Sequence, residues 1–270
     1  MRITFIGGGN MCSALIGGLL AKGQSPSDMR VVDPVAEQRD RISSRHGVAV
    51  FGAIEAAALE SDTVVMAVKP QQMREAATAL APLLKGQLVL SVAAGIRATD
   101  LSRWLGGHSR IVRCMPNTPA LIGEGITGLA ALPGLSPADQ RATDAILGAV
   151  GQTVWVDHEG LLDAVTAVSG SGPAYVFYFM EAMHKAALGL GLNDDQARRL
   201  TLATFNGAAR LAAQSDEPPA VLRERVTSKG GTTAAALAVM GEHQVQAHIR
   251  LALAAAQKRS VELGDEFGAG

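Results

Sequence analysis

The sequence predicts a two-domain protein of the α/β class, with a doubly wound, mostly parallel sheet over residues 1–158 and an all-α domain over residues 159–270. Three observations carry this reading. Short β-rich runs alternate with amphipathic helical stretches up to about residue 155; after Asp157 only the helical period continues; and a glycine-rich turn separates the first strand from the first helix. A chain of 270 residues is long enough for two domains of roughly 100 to 200 residues each.

Strands are predicted at Ile3–Ile6, Arg30–Asp33, Val48–Phe51, Thr63–Val68, Leu88–Val92, Arg110–Met115 and Thr153–Val156, each rich in β-branched or apolar residues. Between them, helical periods fall at Met11–Lys22, Ala36–His46, Gln72–Leu84, Thr99–Leu105 and Pro137–Val150, so that consecutive strands are joined by βαβ crossovers. An antiparallel edge is expected near Ile126–Ala131. Six further helices are predicted at Leu161–Val168, Ala174–Leu190, Asp194–Gln214, Pro219–Val226, Thr232–Met240 and Val245–Leu263. Several are apolar over a wide arc, as in Tyr175–Met180 and Leu251–Ala256, and helices of that kind have to be buried. About a hundred residues offer little interior to hide them, which favours dimerisation through these faces.

The composition narrows the function. Hydrophobic residues make up 48% and charged residues 18%, with a formal charge of −1, which leaves no basic face for nucleic acid and no polybasic tail for a membrane. A small-molecule partner is expected. The uncharged run from Ile3 to Ala21 after Arg2 resembles a signal peptide, but Gly7-Gly8-Gly9-Asn10 splits it into halves of different period. Cys12 and Cys114 form neither a disulfide framework nor a metal pair, which fits a reducing cytoplasm. His243 and His248 miss the spacing of a helical metal site, and no metal is expected.

Directly after the first strand, Gly7-Gly8-Gly9-Asn10-Met11-Cys12 matches G-x-G-x-x-G except that Cys12 replaces the third glycine. Gly7 makes the tight turn, Gly9 lets the backbone approach a pyrophosphate, and the third position needs a small residue where helix and strand pack. The strand–turn–helix context makes this a Rossmann-like dinucleotide site for NADPH or NADH, with Gly7, Gly8, Gly9, Asn10 and Met11 at the pyrophosphate. Asp33, at the end of the second strand, either accepts hydrogen bonds from the adenosine ribose, which favours NADH, or caps the turn into the next helix. Arg39 and Arg41 accommodate a 2′-phosphate if either folds back.

Thr227-Ser228-Lys229-Gly230-Gly231-Thr232-Thr233 lies between two helical stretches. It reads either as an ordinary turn and helix cap or as an anion cradle, in which unpaired N–H groups at a helix start receive a carboxylate or phosphate.

With this run and the glycine turn, Ala67-Val68-Lys69-Pro70, Ser91-Val92-Ala93-Ala94-Gly95, Met115-Pro116-Asn117-Thr118-Pro119-Ala120 and the stretch from Asp163 to Tyr175 containing VSGSGPAY resemble the pyrroline-5-carboxylate reductases, in order and over the whole chain. The resemblance implies a Rossmann domain joined to a helical domain that dimerises, a homodimer or larger homo-oligomer. It also implies NAD(P)H-dependent reduction of 1-pyrroline-5-carboxylate to L-proline, the last step of proline biosynthesis. Val68, Lys69 and Pro70 then line the nucleoside side, while Ala93, Ala94, Gly95 and Asn117 lie near the nicotinamide. Ser228, Gly230, Gly231, Thr232 and Thr233 bind the substrate, with the Thr233 hydroxyl at the ring nitrogen as the catalytic group. Glu159 matches a ligand-contacting position or is a solvated acid in a linker. Lys229 departs from the family's proline and either attracts the carboxylate or points to water. A β-hydroxyacid dehydrogenase needs a lysine about one turn after a glycine motif, and the first lysine after Gly172 is Lys185. A non-catalytic dinucleotide sensor would not need the cradle.

Overall fold

Strand β1 (Ile3–Ile6) lies in the middle of an eight-stranded sheet whose other members are β2 (Met29–Val32), β3 (Ala49–Phe51), β4 (Thr63–Met66), β5 (Leu88–Ser91), β6 (Ile111–Met115), β7 (Gly125–Ala131) and β8 (Gly151–Trp155). A computed structural model describes residues 1–269. The spatial order is β3-β2-β1-β4-β5-β6-β7-β8. The first six strands are parallel, with Ile3 beside both Met29 and Thr63. β7 runs antiparallel to β6, as expected, yet it is not the edge: β8 pairs parallel to it from Gly125↔Gly151 to Leu129↔Trp155 and closes the sheet. Asp144 on the preceding helix anchors this edge strand by accepting from Thr153 Oγ1 at 2.9 Å and Trp155 Nε1 at 3.1 Å.

The central strands β1, β4 and β5 are largely apolar because helices cover both faces. Ile3 and Phe5 of β1, Val65 of β4 and Leu88 and Leu90 of β5 point to one layer, with helices α1 (Asn10–Ala21), α2 (Ala36–His46) and α5 (Pro137–Leu147). Ile6, Val64, Met66 and Val89 point to the other, with α3 (Pro70–Leu80) and α4 (Ala98–Trp104). Burying each such large side chain stabilises by about 1.5–3 kcal/mol. Helix α3 starts two residues earlier than the periodicity suggested because Pro70 occupies its first turn, and it tightens into a 3-10 turn at Ala81–Leu83 around Pro82.

The chain divides into two compact units, Met1–Ser171 together with the chain from Ala255 onward, and Gly172–Ala254. In the first unit, α6 (Leu161–Val165) runs into a π turn at Thr166–Gly170, where the Ser171 N–H donates to the Thr166 carbonyl at 2.8 Å. The helix thus widens over Thr166–Gly170 and ends at Ser171, within the SGSG stretch, before α7 starts at Gly172. The second unit holds α7 (Gly172–Gly189), α8 (Asp194–Ala213), α9 (Pro219–Arg225), α10 (Thr232–Glu242) and the start of α11 (Val245–Gly268). A reciprocal capping box starts α8, Gln196 N–H to Asn193 Oδ1 at 2.9 Å and Asn193 N–H to Gln196 Oε1 at 3.1 Å. No residue of α7, α9 or α10 is buried, and Phe177 and Tyr178 are 64% and 70% exposed. Within one chain this unit has almost no interior.

Candidate active site

In an open α/β sheet, ligands bind beyond the carboxyl ends of the strands where the order reverses, here between β1 and β4. Gly7 sits at that point with φ +102°, and a Cβ there would lie 2.7 Å from the Ala67 carbonyl oxygen, so only glycine fits. A Cβ at Gly9 would meet nothing within 4 Å, which leaves open space above the turn. Gly9 starts α1 without any side-chain cap, so the first N–H groups of a twelve-residue helix face that space. An anionic pyrophosphate fits this cradle. Cys12, the substitute third residue, is fully buried; burial first, then the nearby Asp33 charge, pushes its thiol well above the usual range, so it serves as a small packing residue and not a thiolate.

Asp33 is largely buried and both of its oxygens are engaged. Oδ2 accepts from Gly8 N–H at 2.7 Å and Oδ1 from Val35 N–H at 2.9 Å. Asp33 therefore closes the turn, while α2, which starts at Ala36, has no side-chain cap; the same bonds fix the carboxylate beside the glycine turn with lone pairs to spare. Both arginines fold back. Arg39 Nη1 donates to the carbonyls of Asp33 and Pro34 at 2.8 and 2.9 Å, and Arg41 Nη2 donates to the Gly8 carbonyl at 3.2 Å.

Val68, Lys69 and Pro70 follow β4, and Ala93, Ala94 and Gly95 follow β5, at the same end of the sheet. Lys69 is exposed at the start of α3, while Ala93 and Gly95 are buried. Asn117, after β6, uses its side-chain oxygen to accept from Ile126 N–H at 3.0 Å, which shapes the entry to β7. Gly170 of the π turn packs against the end of β6, where a Cβ would lie 2.6 Å from Met115 Cε.

Glu159 is not a solvated linker acid. Its Oε1 accepts from the first N–H of α4, Ala98, at 2.7 Å and faces Arg113 Nη1 at 3.2 Å. Arg113 is nearly sealed, with 5% of its side chain exposed. Arg113 is a functional residue not predicted above; a lone cation inside the apolar run Ile111–Met115 is the signal in the sequence that it needs a buried partner.

In the helical unit, Gly230 has φ +73° and Gly231 leads into α10 with extended geometry. Gly231 N–H donates to the Ser228 carbonyl, and Ser228 Oγ lies where a Cβ on Gly231 would clash, at 2.4 Å. The expectation that the hydroxyls cap this helix is corrected: α10 has no side-chain cap, and Thr227 Oγ1 donates instead to the Arg223 carbonyl at 2.6 Å. Thr232 and Thr233 thus begin an eleven-residue helix whose N-terminal donors lack a side-chain partner. Lys229 is exposed and makes no ion pair among the described residues, and nothing in the structure explains its replacing proline.

Two family models match the chain, one for NADP oxidoreductase, coenzyme F420-dependent, over residues 2–95, and one for pyrroline-5-carboxylate reductase dimerisation over residues 159–263. A pyrroline-5-carboxylate reductase of Pseudomonas aeruginosa is 48% identical, the alignment covering 99% of this chain and 98% of that one. The solved structure of a pyrroline-5-carboxylate reductase from Coxiella burnetii superposes with a TM-score of 0.93 at 39% identity, covering 97% and 98% of the two chains. That of the Plasmodium falciparum pyrroline carboxylate reductase with NADP bound superposes with a TM-score of 0.86 at 27% identity, covering 98% of each.

Proposed function

Because this chain belongs to the pyrroline-5-carboxylate reductase family, we propose a division of labour among its residues for the NAD(P)H-dependent reduction of 1-pyrroline-5-carboxylate to L-proline. Gly7, Gly8, Gly9, Asn10 and Met11 receive the pyrophosphate on the uncapped start of α1. Asp33 faces the adenosine ribose, Val68 to Pro70 line the nucleoside, and Ala93 to Gly95 with Asn117 border the nicotinamide. When bound, the coenzyme supplies the hydride. Gly230, Thr232 and Thr233 hold the substrate carboxylate, with Gly231 tied back to the Ser228 carbonyl to brace the turn. The Thr233 hydroxyl bonds the ring nitrogen, whose protonation leaves the adjacent carbon electrophilic, so that positioning is the main demand on the protein. Glu159 acts by fixing α4 and Arg113.

The single observation that supports this reading is the pair of helix starts, α1 and α10, each opened by a glycine turn, without a side-chain cap and so able to receive an anion. NAD(P)H oxidation by the purified protein, with 1-pyrroline-5-carboxylate as substrate, tests it; no turnover by a folded preparation that binds coenzyme overturns it.

The protein works as a homo-oligomer, and we assign the exposed apolar faces of α7, α8 and α10 to contacts between copies in a homodimer. A functional boundary near residue 158 separates coenzyme binding from the dimerisation segment. No described helix is long and apolar enough to cross a membrane. With near-zero net charge and two unpaired cysteines, the reading places the enzyme in the cytoplasm without nucleic-acid or membrane partners.

A further inference from the structure

The last turns of α11 return to the sheet unit and close over the segment between β5 and α4. Gly95 has φ +75°, and a Cβ there would lie 3.0 Å from the Phe267 ring and 3.3 Å from Leu263 Cβ, so the ring rests on bare backbone. Phe267 also packs with the buried cluster that holds Ala93 and Ile96. Next to it, Arg97 Nη2 pairs with Asp265 Oδ1 at 2.6 Å, and its guanidinium lies against Gly264, where a Cβ would be 3.0 Å from Nε. Arg103 Nη2 donates to the Gly268 carbonyl at 2.9 Å. The dimerisation model ends at residue 263, so most of these groups lie beyond it. The contacts are specific, since glycine at 95 and at 264 is what allows the two segments to approach so closely.

We propose that the end of α11 is a clasp that sets the Ala93–Arg97 turn, with Phe267 and Asp265 as positioning residues for hydride transfer. The inference rests on the reading that Ala93 to Gly95 border the nicotinamide. Ala93 and Ile96 anchor the turn on its core side, but Ala94 and Gly95 carry no long side chain, so Phe267 above Gly95 and the tie on Arg97 fix its outer side. A displacement of about 1 Å at the reacting rings is enough to cost up to about 100-fold in rate.

Phe267→Ala is expected to lower kcat about ten-fold, with the Kd for ADP-ribose, which lacks only the nicotinamide ring, unchanged; Phe267→Leu restores most of the rate. Asp265→Asn, at a side chain 66% exposed, cannot unfold the protein and is expected to lower kcat in the same direction. Wild-type kcat in both Phe267→Ala and Asp265→Asn overturns the clasp, as does an equal loss of ADP-ribose binding. Ala94→Leu separates the two layers of the inference. If it leaves turnover untouched, the turn does not border the nicotinamide and the clasp falls with that reading; if it abolishes turnover while Phe267→Ala and Asp265→Asn do nothing, only the clasp falls.

Discussion

Removing Glu159 is the perturbation whose outcome the structure specifies most closely. Arg113 has 5% of its side chain exposed and Glu159 24%, so the pair is shielded on one side and partly wet on the other. Breaking a buried pair by deleting one partner costs about 3–5 kcal/mol, because the remaining charge is uncompensated, whereas a solvated pair is worth at most about 1 kcal/mol. The wet side of Glu159 puts Glu159→Ala toward the lower end, about 3 kcal/mol, with about 1 kcal/mol of that from the lost acceptor at Ala98 N–H. Urea unfolding at fixed protein concentration measures this. Glu159→Gln retains an acceptor for Ala98 and is expected to lose less than Glu159→Ala. Replacing both partners, as Glu159→Leu with Arg113→Met, is expected to recover most of the loss, since neither charge is then stranded. A Glu159→Ala loss below about 1 kcal/mol refutes the reasoning. So does a Glu159→Gln variant of normal stability whose KM for the imine rises steeply, because the carboxylate would then be a substrate ligand.

Thr233→Ala is expected to lower kcat/KM for the imine about 10- to 100-fold with coenzyme Kd unchanged, as for a hydrogen bond to a charged group; an untouched rate removes the hydroxyl from the mechanism. Asp33→Ser is expected to raise the ratio of kcat/KM for NADPH over NADH about ten-fold or more, while Arg39→Ala lowers it; a ratio that ignores both dissociates these residues from coenzyme choice. The Asp139 carboxyl is held below its ordinary 3.8, chiefly by hydrogen bonding from Arg110, against burial and with help from Ser136. A depressed carboxylate adds stability above its unfolded value that is lost as pH falls through its folded one. Arg110→Ala is therefore expected to be less stable than the parent above pH 3.8, with the gap closing in more acid solution; a gap that persists unchanged into strong acid contradicts this linkage.

The parallel sheet was legible because its strands are buried on both faces and so read as unbroken apolar runs, as at Thr63–Met66 and Leu88–Ser91. The pairing of β8 beside β7 was not, since it depends on which edge remains open once β7 has reversed direction. The glycine turn was legible because Gly7 meets a steric demand no other residue satisfies. Asp33 was legible only as two alternatives, of which the structure shows the turn bonds from Gly8 and Val35, contacts that spacing alone does not rank. Glu159 and Arg113 stand 46 residues apart, and only the fold brings the segment after β8 back to β6 and the start of α4. At the cradle, spacing suggested capping by Ser and Thr, but Thr227 turns back to the Arg223 carbonyl and α10 starts without a side-chain cap.

A helical unit without an interior has a consequence for how the molecule comes into being. The sheet unit can condense as a first-order event, since its two apolar layers are built almost entirely from one stretch of chain. The helices that follow leave Phe177, Tyr178 and Leu190 turned to water within one chain. If another copy covers them, as proposed, maturation is second order in chain concentration, and dilution lengthens the life of a half-finished monomer.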